Sequence, residues 1–164
     1  MKNYWFALFL NISILSSSAI AGSMDSVGEY AEIIRKEIPS VVCSGSMSIA
    51  NLNLNRQGNV IIARPGEKIY GMVNFSCNTA CLEQYSLNQI IIGYEGLGPR
   101  GCIFNELGYR CGDGIKTIYL EAPREPGIYN VQCSLEQARS PAEAMQNWNS
   151  SESIKLTIGS VIVN

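Results

Sequence analysis

Over much of this chain apolar and polar residues alternate one by one, the spacing that sends successive side chains to opposite faces of a strand. Val41, Cys43, Gly45, Met47 and Ile49 alternate with Val42, Ser44, Ser46 and Ser48, and Leu52 and Leu54 extend the pattern. Val60-Ile61-Ile62-Ala63 is a short apolar strand between turns at Arg56–Asn59 and Arg64–Glu67. Lys68–Cys77 carries Ile69, Gly71, Val73, Phe75 and Cys77 on one face. Leu87–Tyr94, LNQIIIGY, is the most continuous apolar run beyond the N-terminal region and predicts a central strand. Cys102–Asn105 predicts a short strand, and Ser153–Val163 a last one rich in β-branched residues.

Between these lies Ile115–Cys133, IKTIYLEAPREPGIYNVQC. Ile115, Thr117, Tyr119 and Glu121 alternate with Lys116, Ile118, Leu120 and Ala122, and Ile128, Tyr129, Val131 and Cys133 restart a strand after the break. Pro123 and Pro126 have no backbone donor, so ladder pairing stops there, and Gly127 accepts turn geometry. The expectation is a hairpin. Two stretches show helical spacing instead. In Ser26–Glu37, Val27, Tyr30, Ile33 and Ile34 recur on one side, with Pro39 beyond the end. Ser140-Pro141-Ala142-Glu143 combines a capping serine, a first-turn proline and a glutamate three residues after the cap.

Seven or eight strands with turns at regular intervals, and no strand–helix rhythm, predict an all-β fold: a disulfide-stabilised antiparallel β-sandwich with short peripheral helices. Ala122-Pro123 followed by Pro126-Gly127-Ile128-Tyr129-Asn130-Val131-Gln132-Cys133 resembles the entry to a late strand in secreted immunoglobulin-like and fibronectin type III-like domains. Tyr129 resembles their corner tyrosine. The resemblance implies an immunoglobulin-like sandwich and carries no particular activity. It departs from true immunoglobulin domains in that Tyr129 precedes Cys133 by four residues, and neither Trp5 nor Trp148 falls on a central strand.

Composition adds the compartment. Lys2, the apolar run Tyr4–Leu15 and the small-x-small triplet Ala19-Ile20-Ala21 form a signal-peptide pattern. The expected organisation is therefore a signal peptide at 1–21, a helical segment at 22–40 and a β-sandwich domain at 41–164, secreted or periplasmic. No later run is long enough to span a bilayer, so no stable membrane insertion is expected after cleavage. All six cysteines, Cys43, Cys77, Cys81, Cys102, Cys111 and Cys133, follow that pattern. An even number behind a leader reads as a disulfide framework, with Cys102 and Cys111 the best single pairing. A zinc site from Cys77, Cys81, Cys102 and Cys111 is the rival that an oxidising compartment disfavours.

Charge and chemistry then narrow the function. The formal charge of −2 argues against nucleic acid, which needs a surplus of Lys and Arg. The chain contains no histidine, which excludes Ser-His-Asp and Cys-His catalysis and histidine-bound zinc. Glu83, Glu95, Glu106 and Glu121 are the carboxylates placed near strand ends or loops, and they read as solvated surface groups ahead of a hydrolase pair. The reading that remains is a non-catalytic binding module, with no cofactor and no metal, recognising a protein or glycan. Its expected site is the loop region Gly93–Asp113, with Tyr94, Arg100, Tyr109 and Arg110 as binding residues, because aromatic rings stack on sugars or anchor protein contacts and arginine adds planar hydrogen bonds. The alternative is an assembly subunit that pairs through an edge or through its C-terminal strand.

Overall fold

The alternation seen in the sequence becomes nine strands in two sheets, with two helices, among the residues that the computed structural model describes: 24–39, 41–44, 47–77, 87–107, 113–150 and 153–164. The four-stranded sheet has the order β1 (Val41–Ser44), β2 (Met47–Leu54), β4 (Lys68–Cys77), β7 (Asp113–Glu121). The five-stranded sheet has the order β3 (Val60–Ala63), β9 (Lys155–Val163), β8 (Gly127–Gln137), β5 (Leu87–Tyr94), β6 (Gly98–Leu107). The fold is all-β, as expected.

One apolar cluster draws on both sheets. Leu54, Ile69, Val73, Ile118 and Leu120 come from the smaller sheet, and Ile61, Ile90, Ile92, Val131 and Val161 from the larger. These are the inward members of each alternating strand, which explains why the pattern was so regular. The larger sheet is also covered on its other face. Helix α1 (Met24–Glu37) sets Val27, Ala31, Ile34 and Ile38 over Val60 of β3 and Ile162 of β9. Arg35 Nη2 clamps that contact by donating to the Val60 carbonyl at 2.9 Å. Helix α2 (Pro141–Asn147) sets Ala144 and Trp148 over Ile91 of β5. Its start is capped as the sequence implies, with the Glu143 amide donating to Ser140 Oγ at 3.2 Å.

With both faces covered, the central strands of the larger sheet read as continuous apolar runs. Among the described residues nothing covers the outer face of the smaller sheet, where Tyr70, Met72 and Tyr119 are exposed, and its strands keep the strict alternation.

Three expectations change. Strands β7 and β8 form no hairpin: they belong to different sheets, and the segment Ala122–Pro126 carries the chain across the core from one to the other. The two prolines end pairing, as the sequence implied, but each strand finds its partners elsewhere. The sheets are not wholly antiparallel either, since β3 runs parallel to β9, from Val60↔Ser160 to Ala63↔Val163. Finally, Gly93–Asp113 is mostly strand. β5 and β6 pair from Leu87↔Leu107 to Tyr94↔Gly98, leaving only residues 95–97 as the turn between them.

The disulfide framework is not seen among the described residues. Cys133 lies in the core between the sheets, whereas Cys102 packs on the opposite face of the larger sheet, beside Ile91 and α2. A bridge between these two is therefore excluded by the pleat. Cys81 and Cys111 lie outside the described residues, so the expected Cys102–Cys111 pairing does too.

Candidate functional site

Strands β4 and β7 pair in a register that sets Tyr70 opposite Tyr119 and Lys68 opposite Glu121. Ile69 and Leu120, one residue along, point into the core, so these four side chains face outward. Tyr70 is 53 % and Tyr119 65 % exposed. Their rings meet edge to face, with centroids 5.4 Å apart and planes at 88°. That geometry matches the ring quadrupoles and holds both side chains in place without burying them.

Beyond this pair the surface dips into a cavity of about 640 Å³. Lys68, Tyr70, Tyr119 and Glu121 line it from the smaller sheet, Arg124 from the crossing segment, and Arg100 from β6. The volume falls in the range of ordinary ligand sites, roughly 300–1,000 Å³.

Arg100 reaches the cavity because of a bulge. Gly93 pairs with Pro99 and Ile92 with Gly101, so Arg100 is the extra residue opposite neither. Such an insertion re-aims one side chain out of the pleat. The guanidinium lies 5.9 Å from the centroid of the Tyr94 ring, a cation–π distance. Gly93 permits the close approach: a Cβ there would sit 2.4 Å from the Gly98 carbonyl oxygen and 2.7 Å from Pro99 Cα.

Of the four residues expected to bind, the two that are described, Tyr94 and Arg100, lie in contact but take different parts. Arg100 lines the cavity. Tyr94 is fully buried and belongs to the core, where its ring meets Tyr129 edge to face at 6.2 Å. It supports Arg100 from below and presents nothing to solvent. Burial pushes its phenol up to about 12, against an opposing pull from Arg100. Tyr109 and Arg110 lie outside the described residues. Sequence reasoning missed Lys68, Tyr70, Tyr119 and Arg124. The available signal was the outward position of both tyrosines on strands whose other face was plainly apolar.

Of the four carboxylates expected near strand ends or loops, Glu83 lies outside the described residues. Glu121 lines the cavity, while Glu95 accepts from Asn130 Nδ2 at 2.8 Å. Among the described residues no cluster of three His, Cys, Asp or Glu could hold a metal ion, and no helix is long and apolar enough to cross a membrane. What the arrangement can do chemically is stack, hydrogen-bond and attract negative charge. No protein-family model matches the chain, and no characterised protein matches it in sequence.

Proposed function

We propose that this chain is an exported, non-catalytic binding module built as an immunoglobulin-like sandwich, recognising a glycan or protein at the Tyr70–Tyr119 cavity. The observation that carries the reading is the exposed tyrosine pair held edge to face beside three cations. Large rings left in solvent at a concave surface are the usual anchors of recognition. The sandwich reading draws on the core shared by both sheets, the crossing between β7 and β8, and the corner position of Tyr129. The export reading draws on residues 1–21 and on the cysteine number, and disulfide mapping of the mature protein tests it.

The strand edges favour binding at the cavity over assembly. Edge strands β1 and β3 span only four residues each. Edge strand β6 carries Pro99 and two bulges. Edge strand β7 turns Lys116 inward, its Nζ 5.8 Å from the Phe75 ring centroid. Each is a known guard against edge pairing. The C-terminal strand β9 is hydrogen-bonded on both sides, to β3 and β8.

Replacing Tyr70 and Tyr119 together by alanine tests the site. Capture of ligands on a glycan array, or of partners from the medium the protein is exported into, should fall at least about tenfold with an unchanged circular-dichroism spectrum. Unchanged capture removes the cavity as the binding site.

A further inference from the structure

The cavity is unusual for its charge as well as its rings. Lys68, Arg100 and Arg124 converge there from β4, the β6 bulge and the crossing segment, and Glu121 is the single acidic side chain among the lining residues. Lys68 has Glu121 opposite it in the strand register. Arg100 and Arg124 form no ion pair among the described residues. The chain as a whole is net negative, so this concavity stands against the charge of the rest of the molecule. Two arginines with open hydrogen-bonding forks are suited to carboxylates, which they can hold through paired N–H groups.

The remaining lining says what carries those carboxylates. The tyrosine rings stand in solvent, and the apolar residues at the floor of the cavity, Ile69, Leu120 and Ala122, are each at most 5 % exposed, so the floor offers little surface to a peptide side chain. The nearest strand edge is guarded by Lys116, so a peptide main chain has poor access to the β7 ladder. A pyranose ring needs neither feature. It stacks its C–H face on an exposed aromatic ring and offers hydroxyls to nearby polar groups.

We infer that the cavity takes an acidic oligosaccharide carrying ring carboxylates, with sugar faces on Tyr70 and Tyr119 and carboxylates on Arg100 and Arg124. This rests on the cavity being the binding surface, and charge complementarity supplies the ligand class.

Isothermal titration of the folded protein with three probes tests it: an oligogalacturonate hexamer, the same hexamer fully methyl-esterified, and hexaglutamate. The acidic hexamer should bind saturably, and at least about tenfold more tightly than either control. Raising salt from about 20 to about 150 mM should weaken it several-fold. Arg100→Gln with Arg124→Gln should reduce it to the level of the ester, and Tyr119→Ala should weaken acid and ester alike. All of these side chains are exposed, so the variants should fold. Equal binding of the ester overturns the role of charge, and equal binding of hexaglutamate overturns the sugar. No binding of the acidic hexamer at about 10 mM, a far weaker regime than most specific sites, overturns the ligand class. Tyrosine-dependent capture on the array would then still stand, which separates failure of this inference from failure of the site.

Discussion

The Tyr129 hydroxyl donates to the Glu125 carbonyl at 2.9 Å, tying the first turn of β8 back to the segment that crosses from one sheet to the other. The bond spans four residues and is made where both sheets must be aligned. Removing only the hydroxyl, by Tyr129→Phe, should lower stability by about 1 kcal/mol in urea denaturation while leaving the fold intact. No loss would mean that this bond adds nothing to a crossing that the Ala122 amide also anchors by donating to the Glu67 carbonyl at 2.8 Å.

Alkaline pH should unfold the protein through its core acids. Burial raises Tyr94 from 10.0 to about 12, against a smaller lowering from Arg100, and raises Cys133 from 9.0 to about 12. Well below pH 9 both groups are protonated in the folded and unfolded chain, so neither changes stability with pH there. Between the ordinary value and about 12 only the unfolded chain gives up the proton, so folding weakens by about 1.4 kcal/mol per pH unit for each group. Urea midpoints measured from neutral to strongly alkaline pH check this, and Tyr94→Phe should make the upper part of the decline shallower.

At neutral pH the same Tyr94→Phe change should be neutral or stabilising. The hydroxyl is buried and has no hydrogen-bond partner among the described residues, so its removal relieves a desolvation cost of about 1–3 kcal/mol. Marked destabilisation in thermal melts would show that a partner had been lost.

Gly159→Ala should be costly. A Cβ at Gly159 would come within 2.5 Å of the Asn59 carbonyl oxygen and 2.6 Å of Leu52 Cδ2. Overpacking against backbone is expected to cost about 1–3 kcal/mol, read as a lower denaturation midpoint. Gly66→Ala, where the added carbon meets nothing within 4 Å but φ is +73°, separates crowding from backbone strain.

Much of the fold was legible because its signals are local. Lys68–Cys77 and Leu87–Tyr94 are strands with the expected bounds, and Ser140 caps α2 as its spacing implied. Alternation says which face a side chain takes but not which strand lies beside it. That is why Ile115–Cys133 reads as a hairpin while its two arms join different sheets. The cavity was illegible for the same reason: Tyr70 and Tyr119 meet only through the β4–β7 register, and Arg100 enters only through a bulge. For Tyr94 the sequence left a binding role and a core role both open, because aromatic type was visible and burial was not.

The parallel pairing of β3 with β9 has a kinetic consequence. Val60 meets Ser160 across 100 positions of chain, and the strand between β3 and β8 is the last described element. Until that segment arrives, β3 and β8 have no neighbour on those sides, and the large loop must close before any contact rewards it. Folding should therefore be slow and late, with the half-built larger sheet exposed meanwhile.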